Sequence, residues 1–324
     1  MARMTEHRIQ MLLGDRTRLN EIDPRIVTRD WGTAGWLVKC PVRLARTLAY
    51  EILYEAWRHT RGRAARVERP ILMYGVPHSG TSISMQLVAR HPDVANLSEA
   101  NPVLQPHGYF DNANGDRVRT AQEATPAEIR RLHQRFEFHR VLHRKPRLLN
   151  KSPNNAVRLD FLKRVFPDAC FVHILRDGRS VAHSLVWGHR NASETEDRFR
   201  PWRERVGPFP GCKPPNWRDL LHDDGLEQHA LQWREVVRYA LALEEKLGLR
   251  VLHVRYEDLC ADPRGTLERI FRFAGLSVSP ATLARIPERM ENQNFKARER
   301  LTAEQLGRLT ALQAEVLRRV GYEP

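Results

Sequence analysis

From Pro70 onward, short apolar runs alternate with stretches of helical periodicity, and this alternation restricts the possible folds most strongly. The apolar runs predict strands at Ile71–Tyr74, Val94–Leu97, Arg147–Asn150, Cys170–Leu175 and Arg250–Arg255. Helices are predicted between them at about residues 80–90, 126–143, 154–165, 178–190 and 226–247. Because strands that alternate with helices pair in parallel through right-handed crossovers, the sequence predicts an α/β fold.

Capping signals mark the starts of two predicted helices. Thr125 precedes Pro126 and is followed by Glu128, which predicts an N-cap, a proline in the first turn and a capping box. Thr302 and Gln305 predict a second capping box at the start of a last helix. These signals fix two of the helix boundaries.

The first 69 residues lack this alternation and predict an N-terminal helical extension (1–69) ahead of a domain at 70–324. Apolar residues recur at helical spacing from Leu44 to Trp57 and lead into an arginine-rich stretch. Packing against the core is the simpler interpretation of this helix. Peripheral contact of residues 43–69 with an anionic membrane is the alternative.

The net charge of +14 at pH 7 favours anionic partners, although an arginine-rich proteome would explain it equally well. No run approaches the roughly 18 apolar residues of a membrane span. The N-terminus lacks the apolar stretch of a secretory signal, and the four cysteines lack metal-ligand spacing. We therefore expect a cytoplasmic protein, which is peripheral at the inner membrane surface if the N-terminal helix binds lipid.

Residues Gly75–Ser82 form the first candidate site, directly after the first predicted strand. A strand, a glycine turn and a helix start place backbone N–H groups around an anion, and the helix N-terminus adds partial positive charge. The spacing matches the P-loop G-x-x-x-x-G-K-[ST], except that Thr81 replaces the lysine. Since a kinase needs that lysine and a Mg²⁺-holding carboxylate, the loop suits a less charged group bound without metal, such as a phosphosulfate.

A second candidate site begins at Arg176, directly after the strand Cys170–Leu175. Open α/β sheets bind ligands at the carboxyl ends of their strands. Arg176 offers a planar fork for a phosphate dianion, and Ser184 on the following helix adds a neutral donor. This pair predicts a second phosphate-binding position, away from the first loop.

The ordered set of motifs resembles sulfotransferases that use 3′-phosphoadenosine-5′-phosphosulfate (PAPS), in particular bacterial members and the tyrosylprotein branch. Gly75–Ser82 resembles their 5′-phosphosulfate loop, and Arg176–Ser184 resembles their 3′-phosphate motif. Other similar segments are His91–Val94 with Glu99, Asn150–Pro153, Val254–Leu259, Phe273–Leu276 and Phe295–Leu301. The resemblance covers about residues 70–322. It implies a P-loop-like three-layer α/β fold with a central, mostly parallel sheet of about five strands and helices on both faces.

The resemblance also implies that PAPS is the cofactor, that adenosine 3′,5′-bisphosphate is the product and that no metal takes part. The implied cofactor-binding residues are Pro77, His78, Ser79, Gly80, Thr81, Ser82, Arg176, Ser184, Tyr256 and Lys296. Many relatives carry lysine or arginine at the position of His78, and a histidine is only partly charged near neutral pH. This departure weakens the expectation of a fixed positive charge over the leaving group.

Catalytic roles follow from the same resemblance for Glu99, Lys151 and His78. Glu99 matches the general base of the tyrosylprotein branch, which removes the proton of the attacking hydroxyl. Lys151 matches a lysine that stabilises charge on the departing phosphate oxygen, and His78 would donate a hydrogen bond there. His107 and His143 are alternative bases, because cytosolic members use a histidine.

The sequence therefore predicts an enzyme that moves a sulfuryl group from PAPS to an acceptor hydroxyl by in-line displacement. The acceptor class stays open among small molecules, glycans, lipids and protein tyrosine. One alternative is a P-loop kinase-like phosphotransferase, although its lysine and metal-binding carboxylate are missing. The other is a basic nucleic-acid-binding protein, although we find no aromatic RNA motif, zinc spacing or clear helix-turn-helix. We expect no nucleic-acid partner, and the oligomeric state is unknown.

Overall fold

A five-stranded parallel sheet forms the centre of the protein in the computed structural model, which describes residues 49–50, 52–98, 104, 116–187, 209 and 212–324. The strand order is β2-β3-β1-β4-β5. The strands are Ile71–Tyr74 (β1), Val94–Ser98 (β2), Arg147–Lys151 (β3), Cys170–Leu175 (β4) and Val251–Arg255 (β5). All four strand pairs are parallel, which confirms the predicted α/β fold.

Helices cover both faces of the sheet in the described ranges. They are residues 52–59 (α1), Thr81–Val88 (α2), Pro126–Leu142 (α3), Leu159–Val165 (α4), Gly178–Trp187 (α5), Gly225–Lys246 (α6), Tyr256–Ala261 (α7), Pro263–Ala274 (α8), Pro280–Leu283 (α9), Phe295–Arg300 (α10) and Ala303–Arg319 (α11). None of them is long and apolar enough to cross a membrane.

Alternate residues of the central strands fill two apolar clusters on opposite faces. Phe171 and Leu175 of β4 pack with residues of α3, α4 and α6. Val172 and Ile174 of the same strand pack with residues of α2 and α8. Every residue of β1 and β4 is buried, as expected for parallel strands covered on both faces. This double burial is why β1 is an unbroken apolar run in the sequence and why His173 alone interrupts the apolar run of β4.

The helix predicted at about 154–165 is wrong as one element. Residues Pro153–Val157 form a 3₁₀ turn, and α4 begins only at Leu159. The break falls at Arg158, whose φ and ψ of −131° and 15° are not helical. Its fully buried guanidinium donates from Nε to the carbonyl oxygen of Arg117 at 3.1 Å. The residue that interrupts the helix is therefore the same residue whose charged side chain is buried.

One predicted capping box is confirmed and the other is wrong. Thr302 and Gln305 bond reciprocally at the start of α11, at 3.2 and 3.0 Å. Thr125 does cap α3, since its hydroxyl accepts from the amide of Glu128 at 3.2 Å. The Glu128 carboxylate, however, binds Arg119 and Arg131. The carboxylate that a capping box would pair with the Thr125 amide therefore accepts from two arginines instead.

The described part of the N-terminal segment packs its aromatic side chains against α3. The rings of Tyr50, Tyr54 and Trp57 lie 4.9 to 5.5 Å from that of Phe138. Ile52 and Leu53 of the predicted apolar stripe are instead 67% and 52% exposed. Trp57 of the predicted apolar stripe therefore lies on the packed face together with Tyr50 and Tyr54, whereas Ile52 and Leu53 do not. Residues 1–48, which include the start of the predicted helix, lie outside the described residues.

Candidate active site

The loop after β1 turns sharply into α2 and makes the predicted anion cradle. At Gly75, an added Cβ would lie 2.3 Å from the carbonyl oxygen of Ile174 on β4, so only glycine fits. His78 and Gly80 have φ angles of 67° and 87°, and α2 begins at the next residue, Thr81. The loop therefore leads directly into the N-terminus of α2, where backbone N–H groups and partial positive charge favour binding of an anion.

Ser79 offers a donor inside this cradle. Its side chain is 1% exposed, and its hydroxyl has no hydrogen-bond partner among the described residues. A buried hydroxyl without a partner costs about 1–3 kcal/mol. A bound phosphosulfate oxygen would satisfy it, so the cradle fits the group that the family resemblance implies.

Tyr256 contacts both predicted phosphate sites. Its ring lies against Gly80, where an added Cβ would come within 2.5 Å of Tyr256 Cδ2. The guanidinium carbon of Arg176 lies 4.5 Å from the centre of the same ring. The aromatic face also attracts that cation. One buried side chain thus fixes the spacing between the loop and Arg176.

Arg176 stands at the carboxyl end of β4 with part of its donor set already used. Its Nε donates to Asn294 Oδ1 at 2.7 Å, and its Nη1 donates to the carbonyl oxygen of His78 at 2.8 Å. These described bonds use two of five N–H groups, so donors remain for an anion. Burial lowers the pKa of Arg176, which marks a desolvated cation that gains by pairing with negative charge.

Sequence reasoning missed the residues that hold Arg176. Asn294 accepts from Arg176 and donates from Nδ2 to Glu257 at 2.7 Å. Glu257 also accepts from the amide of Asp177 and from the hydroxyl of Tyr322, at 3.1 and 2.7 Å. These are positioning residues, because they act through Arg176. Glu257 and Tyr322 belonged to similar segments of the family, but no short-range pattern pointed to Asn294.

His78 and Ser184 lie together, although the sequence placed them at different ends of the nucleotide. His78 Nδ1 lies 2.9 Å from Ser184 Oγ, across a part-buried contact between the loop and α5. Pro77, the residue before, is half-buried in the same turn. This contact is a second link between the two predicted phosphate sites.

Lys151 lies at the opposite side of the cradle, as the last residue of β3. It is 1% exposed, and its Nζ donates to Ser82 Oγ at 3.3 Å, at the start of α2. Ser98 on β2 is paired in register with Lys151. Glu99 and His107 lie outside the described residues. His143 follows the end of α3, near the start of β3 and hence at the other edge of the sheet.

His183 is a further residue that sequence reasoning missed. Burial and the charges of Arg300, Arg176 and Lys296 lower its pKa to about 4. Its Nε2 has no hydrogen-bond partner among the described residues, and its ring stacks on Trp187 at 4.7 Å. The exposed Lys296 of α10 therefore contributes to a positive cluster around Arg176. The position of His183, next to Ser184 in the motif, was the available signal.

This chain is similar to known sulfotransferases. The sequence profile of the "Sulfotransferase family" matches residues 70–280. A Caenorhabditis briggsae protein that bears a protein-tyrosine sulfotransferase name is 26% identical over 225 residues, covering 67% of this chain and 69% of the relative. The omega-hydroxy-beta-dihydromenaquinone-9 sulfotransferase Stf3 of Mycobacterium tuberculosis is 26% identical over 207 residues, covering 62% of this chain and 49% of the relative.

Among solved structures, sulfotransferase STF9 from Mycobacterium avium aligns with a TM-score of 0.49 and 18% identity, covering 83% of this chain and 82% of that one. The family profile spans more than half of the chain and includes the loop, Lys151, Arg176 and Tyr256. It favours neither a kinase-like phosphotransferase nor a nucleic-acid-binding protein. The chain therefore belongs to the sulfotransferase family.

Proposed function

We propose that this protein transfers a sulfuryl group from PAPS to a hydroxyl of an acceptor. The observation that carries the proposal is the fixed link between the helix-capped loop and Arg176, made by Tyr256 and His78. PAPS carries one anionic group at its 5′ end and another at its 3′ position. Two anion sites held at a constant spacing by buried contacts suit such a nucleotide.

Each end of PAPS has residues that fit it. Backbone N–H groups of the loop and the hydroxyls of Ser79, Thr81 and Ser82 would hold the 5′-phosphosulfate. Arg176 would hold the 3′-phosphate by charge-assisted hydrogen bonds. The remaining predicted contacts are Pro77, His78, Gly80, Ser184, Tyr256 and Lys296.

The chemistry that we propose is an in-line displacement, in which the acceptor oxygen bonds to sulfur while the bond from sulfur to the phosphate oxygen breaks. Lys151, beside Ser82, stabilises the charge that grows on the departing phosphate oxygen. His78 donates a hydrogen bond on the same side, and Glu99 takes the acceptor proton. Because Lys151 would supply the positive charge that Mg²⁺ supplies in kinases, we propose that turnover needs no metal.

Calorimetry in the presence of chelator tests the donor. In chelator we expect adenosine 3′,5′-bisphosphate to bind with one site per chain, and in a separate titration without chelator we expect ATP with Mg²⁺ to bind more weakly. The expectation rests on the loop without a lysine and on the remaining donors of Arg176. If ATP with Mg²⁺ bound at least as tightly, a phosphotransferase would become the better proposal.

Arg176→Ala is expected to weaken the bisphosphate about 10- to 150-fold, the equivalent of about 1.5–3 kcal/mol for a charge-assisted contact. Adenosine 5′-phosphosulfate, which lacks the 3′-phosphate, should lose much less. Arg164→Ala is the matched control, since it removes an equal charge from an exposed position near the start of β4, at the far edge of the sheet. Equal losses for both nucleotides would assign Arg176 a structural role.

We also propose residues 1–69 as an extension to a sulfotransferase domain at 70–324, in agreement with a family match that begins at residue 70. Within the extension, Ile52 and Leu53 are exposed, and Arg58, Arg61 and Arg63 follow them in the chain, with Arg58 paired to Glu55. This combination supports the hypothesis of peripheral contact with an anionic inner membrane surface, where a cytoplasmic enzyme would meet a lipid acceptor.

Liposome flotation measures this contact. We expect the protein to float with anionic vesicles at low salt, and Ile52→Ser together with Leu53→Ser to abolish flotation. Neutral vesicles are the control, because about 1 kcal/mol of attraction per basic residue depends on lipid charge. A wild-type protein that stays at the bottom of the gradient would contradict the hypothesis.

A further inference from the structure

Three residues that have no role in the proposed active site stand side by side on neighbouring strands. Tyr74 of β1 is paired in register with His173 of β4, and His173 is paired with His253 of β5. Residues in register on adjacent parallel strands lie about 4.8 Å apart and point to the same face. The sheet therefore presents a row of one phenol and two imidazoles.

The carboxylate of Glu244, on helix α6 packed against the sheet, contacts all three of these side chains. Its Oε1 lies 2.8 Å from His173 Nδ1 and accepts from the Tyr74 hydroxyl at 2.8 Å. Its Oε2 lies 2.6 Å from His253 Nε2. One ligand atom from each of His173, Glu244 and His253 lies within 4.8 Å of the others. Two imidazole nitrogens thus contact the two oxygens of one carboxylate in a single cluster.

The three groups differ in their access to water. His173 and Glu244 are buried, whereas the His253 side chain is 46% exposed at the outer strand of the sheet. An ion would reach the cluster past His253, and a water molecule could complete its coordination on the same side. The apolar side chains around His173 and Glu244 would exclude water from the inner side.

We propose that His173, Glu244 and His253 form a binding site for a Zn²⁺ ion. Two histidines and one carboxylate are a ligand set that zinc takes in proteins, with water as a fourth ligand. Bonds of about 2.0–2.2 Å at tetrahedral angles place ligand atoms roughly 3.3 Å apart. The two nitrogen–oxygen separations, 2.8 and 2.6 Å, must therefore open by roughly 0.5 and 0.7 Å. His253 sits on an outer strand and can supply this movement.

Tyr74 completes the site without touching the ion. Its hydroxyl donates to Glu244 Oε1, and such an outer hydrogen bond orients a carboxylate ligand. Each histidine would direct an unprotonated nitrogen at the ion in place of its present hydrogen bond to Glu244. The ion would clamp β4, β5 and α6 together, so its role is structural and independent of sulfuryl transfer.

Cobalt is the probe, because four-coordinate Co²⁺ absorbs visible light where free Co²⁺ absorbs weakly. Untagged protein, first treated with chelator, is titrated with Co²⁺ and then with Zn²⁺. We expect absorbance to saturate at one equivalent and to disappear when zinc displaces cobalt. Zinc at about 100 times its dissociation constant should raise Tm by roughly 5 °C.

His253→Gln tests the assignment, because glutamine can still hydrogen-bond to Glu244 but is a poor zinc ligand. We expect it to weaken cobalt binding at least tenfold while circular dichroism stays unchanged. His59→Ala, at another exposed histidine, should leave binding unchanged. No cobalt band at one equivalent, or equal affinity in His253→Gln, would overturn the proposal. Neither outcome bears on sulfuryl transfer, whose residues lie elsewhere.

Discussion

Replacing Lys151 by methionine is expected to lower turnover by about 10²–10³-fold, the range found for loss of one charge-stabilising donor. The lysine is buried at the end of β3, and Nζ lies 3.3 Å from Ser82 at the helix start that faces the proposed 5′-phosphosulfate. Negative charge on the departing oxygen grows as the sulfur–oxygen bond breaks. Its stabilisation is therefore larger in the transition state than in the bound ground state, and turnover should fall more than affinity.

Two measurements and one control variant separate this role from a structural one. Single-turnover transfer from labelled PAPS gives the rate, and calorimetry with adenosine 3′,5′-bisphosphate gives the affinity, which should change less than about tenfold. Lys246→Met removes the same charge from an exposed position at the end of α6 and should behave as wild type. Equal losses in rate and in bisphosphate affinity would mean that Lys151 binds the nucleotide or supports the fold.

The central strands β1 and β4 were predictable from the sequence because they are buried on both faces. β1 and β4 have the bounds that the sequence predicts, since every residue in them is apolar or packed in the core. The loop at Gly75 was also readable. A side chain at position 75 would place its Cβ 2.3 Å from the Ile174 carbonyl oxygen. Only glycine avoids this clash, and a glycine in a sequence indicates such close approaches of the backbone.

Contacts that cross the fold could not be predicted in the same way. Arg176 and Asn294 are 118 positions apart, and only the docking of α10 near the end of β4 brings them to 2.7 Å. The interruption at Arg158 likewise depends on its distant contact with Arg117. The helical period of residues 154–165 carries no trace of that contact. The residues of a loop can therefore be identified from the local sequence, whereas the residues that hold Arg176 in place can be identified only from the tertiary structure.

Glu99→Gln is expected to lower turnover about 10²–10⁴-fold with an alkyl alcohol as acceptor, the range for loss of a general base. Glu99 itself lies outside the described residues, but the preceding Ser98 is paired in register with Lys151. The chain thus leaves β2 at the carboxyl edge of the sheet, next to the lysine that we assign to the leaving group. In-line displacement requires the base on the acceptor side, and a segment that starts beside Lys151 can extend to that side.

The acceptor decides how strongly this substitution should act. Glutamine keeps the shape of Glu99 but cannot take a proton at neutral pH. An alkyl alcohol is a very weak acid, so its transfer depends on a base, whereas a phenol with a pKa of about 10 depends on it less. The loss of rate should therefore be larger with the alkyl alcohol than with the phenol. A residue that only shapes the pocket would slow both acceptors alike.

Affinity for adenosine 3′,5′-bisphosphate should hardly change in Glu99→Gln, because Glu99 is not assigned to the nucleotide. Glu288→Gln, at a side chain that is 79% exposed, is the matched control and should retain full turnover. If the alkyl alcohol were still sulfated within a few-fold of the wild-type rate, the base would lie elsewhere, and His107 would be the next residue to replace. If bisphosphate binding were lost together with turnover, Glu99 would be holding the end of β2 in place, because a base that contacts only the acceptor has no effect on the nucleotide.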